Sequence, residues 1–131
     1  MNYIHPEIAL YQSNINAEKV IEALEIINKF EEVNYRPHLT YWMSIEKSSE
    51  DTKEMQYVRD VMEKELWPFM EQFLKDQKVV NYERRKRYLI SKMLPKFWDD
   101  GKAMDSHRDP WDSYSYDVYL NDNFIGGNLI F

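Results

Sequence analysis

The sequence predicts an α+β fold, with helices in the first part of the chain packed on one side of a sheet drawn from the last part. Three observations predict it. Apolar residues recur at helical spacing within 17–28 and 51–77. From Tyr88 onward the texture changes to short apolar runs separated by turn residues. Hydrophobic residues make up 44% of the 131 residues, enough for one buried core rather than a disordered chain. The expected organisation is a single domain over 1–131, with 1–82 a mainly helical support region and 83–131 the sheet.

Taken in order, "EIALY" at residues 7–11 reads as a short strand. "NINAEKVIEALEIINKF" reads as a helix with Asn16 as N-cap and Ile15 able to staple onto Val20. Ala17, Val20, Leu24 and Ile27 share one face of it. "VNYRPHLTYWMSIEKSSE", broken by Pro37, reads as a loop with a short strand at 39–45. Met55, Val58, Met62, Leu66, Phe69 and Phe73 then mark a long helix. Pro68 lies inside that run, has no N–H and crowds the carbonyl of Lys64, so a kink or break is expected there. After Tyr88, "YLISKMLPKFW", "KAMDSHRD", "SYDVYL" and "NLIF" read as strands, with "DDG" and "NDNFIGG" as turns.

Composition narrows the function. There is no cysteine, which removes disulfides, thiolate zinc sites and a Cys nucleophile. No apolar run is long enough to span a bilayer, and the N-terminus lacks the layout of a signal peptide, so a cytoplasmic location is expected. The net charge of −6 disfavours nucleic acid as a partner. The one basic run, "ERRKRY" at 83–88, reads as a solvated entry to a strand or as a local phosphate or acidic-substrate contact.

The residues that carry chemistry are His107 and Asp109. On an extended segment their side chains project to one face, roughly 7 Å apart at Cα. An imidazole nitrogen and a carboxylate oxygen suit Fe(II), Mn(II) or Zn(II). His-x-Asp alone is far more often a solvated surface pair than a ligand pair, and Asp105, on the same face, reads as a solvated acid rather than a substrate contact. The neighbours sharpen the reading: Trp98-x-x-Gly101 precedes the pair, and Tyr119-Leu120-Asn121 and Gly126-Gly127 follow it. In this order and at these spacings the segment 98–131 resembles the Fe(II)- and 2-oxoglutarate-dependent dioxygenases of the prolyl 4-hydroxylase-like group.

That resemblance implies a partial double-stranded β-helix of jelly-roll or cupin type, formed by 83–131 and supported by the helices. It implies Fe(II) held by His107 and Asp109, 2-oxoglutarate as co-substrate, and O2. Tyr119 matches a tyrosine whose hydroxyl faces the co-substrate, and Leu129 an aliphatic residue packed on it. Trp98 stands where the group usually has a tyrosine, and an indole N–H reaches differently from a phenol. Tyr119 and Leu129 are as readily core residues, and the two glycines serve a tight turn equally well.

The resemblance also places a second His, and a Lys or Arg for the distal carboxylate of 2-oxoglutarate, several tens of residues beyond Gly127. The chain as written is therefore expected to hold the first half of the site. His5 and His38 belong to no matching motif, and His38 reads as a solvated or capping residue rather than a substitute ligand. A sheet cut at that point would leave an open edge suited to self-association. Two functions follow: an oxygenase hydroxylating an unidentified substrate, or a non-catalytic remnant or binding module of the same fold.

Overall fold

The computed structural model describes residues 1–32, 38–93, 114–115 and 117–122. Within them the chain is α+β. In chain order the elements are β1 (Asn2–His5), β2 (Ile8–Leu10), α1 (Ala17–Ile27), β3 (Glu31–Glu32), β4 (His38–Met43), α2 (Lys53–Val61), a π-helical turn (Met62–Leu66), α3 (Trp67–Asp76), a 3-10 turn (Tyr82–Arg85) and β5 (Tyr88–Met93). β1 and β2 form a two-stranded antiparallel hairpin, and β3-β4-β5 a three-stranded antiparallel sheet. None of the described helices is long and apolar enough to cross a membrane.

α1 begins as its sequence dictates. The Asn16 side chain accepts from the Lys19 N–H at 3.1 Å, satisfying a donor that has no partner inside the helix. Val20, Ala23 and Leu24 are buried, and Ile15 packs against the core that they join. The helix stops at Asn28, which takes a left-handed conformation (φ 46°) and donates its N–H to the Leu24 carbonyl at 3.2 Å.

The second helical run starts at the Thr52 cap, whose hydroxyl accepts from the Met55 N–H at 3.2 Å. The interruption expected close to Pro68 is present as a change of ladder rather than a loss of helix. The relief comes one turn earlier, where the ladder widens over Met62–Leu66 and the Trp67 N–H reaches the Met62 carbonyl. Proline has no N–H for the carbonyl four residues back, and the wider turn takes up that misfit before Pro68 enters the first turn of α3.

The order of helices first and sheet last does not hold. The three-stranded sheet takes β3 and β4 from before the long helix and only β5 from after it. Register fixes which face is inner: Met43 opposes Tyr88 and Tyr41 opposes Ile90, and these four residues pack into the core. The alternate residues Trp42 and Leu89, also directly opposed, are exposed on the outer face. The strand expected at 7–11 is Ile8–Leu10, and its partner Asn2–His5, exposed along its length, gave no periodic signal.

Two apolar clusters result. The larger joins Val20, Ala23 and Leu24 of α1, Val58 and Val61 of α2, Leu66, and the inner face of β4 and β5. The smaller, Met70, Phe73 and Leu74, is covered by the hairpin and the residues after α3. Tyr3 stacks on Phe73 with ring centres 6.1 Å apart, and Tyr11 on Phe69 at 4.3 Å. Gln77 Nε2 donates to the Pro6 carbonyl at 2.7 Å, and the Tyr3 hydroxyl donates to Asp76.

Candidate functional site

Of the residues that the sequence nominates, Trp98, His107, Asp109 and Leu129 lie outside the described residues, as do Asp105, Gly101, Gly126 and Gly127. Tyr119 is described, and it is 58% exposed. Its neighbours Val118 and Leu120 are half-buried and pack against the larger core. The core reading of Tyr119 therefore fails. Residues 117–120, part of the run expected as strand, keep the in-out alternation of one but belong to neither described sheet. Alternation is a property of side chains, whereas a strand also needs a hydrogen-bonded neighbour.

His5 stands in the exposed hairpin, where its Nδ1 accepts from the Glu7 N–H at 3.1 Å. His38 opens β4 opposite Met93. Among the described residues no group of three or more His, Cys, Asp or Glu side chains is placed to hold a metal ion.

The densest polar constellation described gathers around the π-helical turn. That turn places Glu63 against the end of the basic run: Lys86 Nζ lies 2.8 Å from one carboxylate oxygen and 2.9 Å from the other. Lys86 also lies 4.2 Å from the centre of the Trp67 ring and 5.4 Å from that of Tyr88. The Tyr88 hydroxyl donates to the same carboxylate, and Tyr88 is 1% exposed. Burial pushes Glu63 upward, but the bonds from Lys86 and Tyr88 outweigh it and hold the carboxyl below its ordinary value. A carboxylate so held is a poor base near neutrality, and this cluster fastens β5 to the long helix. It also removes Lys86 from the phosphate-binding reading of "ERRKRY", since its charge is already matched.

Arg59 is the charged residue on the apolar face of the long helix, four residues after Met55 and three before Met62. It falls on the inner side of α2 and is 2% exposed. Its Nε donates to the Ser44 carbonyl at 3.0 Å and its guanidinium grips both oxygens of Asp51, with Nη2–Oδ1 at 3.2 Å. Asp51 also accepts from the Ser48 N–H at 3.0 Å. The Arg59 bonds first, and then the Ser48 bond, hold the Asp51 carboxyl below its ordinary value. The planar guanidinium meets a carboxylate fork-to-fork while its third donor closes the loop after β4.

A groove of about 460 Å³ opens where α1 turns into β3. Asn28, Lys29, Phe30 and Glu31 form one wall, and Thr40, Tyr41 and Trp42 of β4 the other. Glu31 pairs directly with Thr40, which puts Trp42 two residues along on the same sheet face. Nothing in the local sequence marks this groove. It exists because the left-handed cap at Asn28 turns the chain back to run beside β4.

No family model, curated protein or solved structure matches this chain.

Proposed function

We propose that this chain carries part of the active site of a non-haem Fe(II)- and 2-oxoglutarate-dependent dioxygenase that hydroxylates its substrate. The observation that carries the reading is the ordered set Trp98-x-x-Gly101, His107-x-Asp109, Tyr119-Leu120-Asn121 and Gly126-Gly127 at the spacings of the prolyl 4-hydroxylase-like group. The donor chemistry is consistent with it, since one imidazole and one carboxylate make up two of the three ligands of a facial triad. The outward position of Tyr119, between the inward Val118 and Leu120, adds support. This is the alternation required of a strand packed on helices by one face and lining a cleft by the other. The fold in this reading is a partial double-stranded β-helix.

Bound iron supplies O2 activation coupled to oxidative decarboxylation of 2-oxoglutarate, directed at an unactivated C–H bond. In this reading His107 and Asp109 would hold the ion, Tyr119 would present its hydroxyl to the co-substrate, Leu129 would pack on the carbon chain, and Trp98 would offer an indole N–H. A third donor and a cation for the distal carboxylate have no motif match within 1–131.

Anaerobic titration of the 131-residue protein with Fe(II), followed by a succinate assay with 2-oxoglutarate and O2, tests this. Two donors hold iron weakly, and little succinate is expected. Loss of even an outer partner of a metal site costs about 10–100-fold in affinity, so His107→Ala and Asp109→Ala should each weaken binding beyond that range with helical circular dichroism intact. Metal binding that neither substitution changes would remove the proposal.

A further inference from the structure

We propose that the groove between the end of α1 and the outer face of β4 binds a neutral sugar ring, free or as one unit of a glycan. This does not depend on the oxygenase reading. The floor of the groove is Thr40, only 8% exposed. Its hydroxyl makes no side-chain hydrogen bond among the described residues and is not shut off from solvent, so a ligand hydroxyl can take the place of water there.

Beside Thr40 stands Trp42, 62% exposed, with its indole uncovered on the same face. A flat apolar platform next to a solvent-accessible hydroxyl matches the two kinds of surface on a pyranose, an apolar C–H face and a polar rim. Asn28 supplies an amide, Glu31 an acceptor and Lys29 a donor around the same opening. Together they offer the mixture of donors and acceptors that ring hydroxyls need.

The charges select against other small ligands. Lys29 and Glu31 carry opposite signs and are both exposed. A simple anion is repelled by Glu31 and a simple cation by Lys29. A zwitterion would depend on two solvent-screened ion pairs, each of which contributes little. A neutral polyol draws instead on stacking and hydrogen bonds, which exposure weakens less. The volume, about 460 Å³, falls within the range of small-molecule sites, roughly 300–1,000 Å³.

Saturation-transfer NMR with the methyl glycosides of glucose, galactose and mannose and with N-acetylglucosamine tests the proposal, with glycine and choline as charged comparisons. At least one sugar should receive saturation on the protons of one ring face, with weak affinity. Trp42→Ala, an exposed position that leaves the core alone, should weaken it about tenfold, in line with the stacking energy of an aromatic platform. Thr40→Val, which keeps the shape and removes the hydroxyl, should weaken it about fivefold. Amide chemical shifts would confirm that both variants fold. Binding of glycine or choline in place of the sugars, binding unchanged in Trp42→Ala, or no sugar bound at millimolar concentration would each overturn it.

Discussion

Lys86 and Glu63 lie 23 residues apart and meet as an ion pair at 2.8 Å, at the point where the long helix widens into its π turn. Helix and strand are joined there by a charge pair, a tyrosine hydroxyl and the face of an indole.

Removing one member should loosen that junction without melting the helices. Lys86 is 11% exposed and Glu63 33%, between the surface pairs that contribute ~0–1 kcal/mol and the buried pairs whose breakage costs ~3–5 kcal/mol. Lys86→Met should therefore cost about 1–3 kcal/mol in urea denaturation. Tyr88→Phe should cost about 1–2 kcal/mol. Full native stability in both variants would show the cluster to be incidental.

Arg59→Met should be among the most damaging single substitutions in the long helix, lowering the melting temperature by several degrees or more. It leaves Asp51 with a buried charge and no guanidinium, and it frees the Ser44 carbonyl. Adding Asp51→Asn should recover part of the loss, because the orphaned charge is then gone. A double variant no more stable than Arg59→Met alone would count against the pairing.

Acid should unfold this protein through identifiable carboxylates. Asp51, Glu63 and Asp76 are all held below their ordinary values of 3.8, 4.5 and 3.8 by hydrogen-bond donors in the folded chain, although burial opposes this at each of them. Each stabilises the fold fully above its ordinary value, and the contribution is lost as pH falls through the depressed folded value. Stability should thus be flat near neutrality and decline below about pH 4.5, less steeply in Glu63→Gln.

Alkali should act through the partner of Asp76. The hydrogen bond to Asp76 pushes the Tyr3 hydroxyl from 10.0 to about 12. That contribution is complete below pH 10.0 and disappears as pH rises through about 12. Tyr11, Tyr41 and Tyr82 are also raised, chiefly by burial, so ultraviolet titration should show a late-ionising group of tyrosines whose amplitude falls by one in Tyr3→Phe. An unchanged late amplitude would count against the Tyr3–Asp76 pairing.

Local patterns in the chain were enough to define the helices. The Asn16 cap, the 20–24–27 spacing and the Thr52 cap act over a few residues, so periodicity and capping chemistry reveal them without tertiary information. The motif set around His107 and Asp109 is legible for the same reason, being a matter of residue type and spacing along the chain. Only the tertiary structure decided the rest. Whether Pro68 breaks the helix depended on the ladder widening upstream, over Met62–Leu66. What neutralises Arg59 on the inner face is the loop after β4, which brings Ser44 and Asp51 over it. The groove under Trp42 likewise requires β3 and β4 to pair across a gap in sequence. These features come from contacts between distant segments, whose partners no local pattern names, because burial and pairing energies depend on what the rest of the chain places alongside.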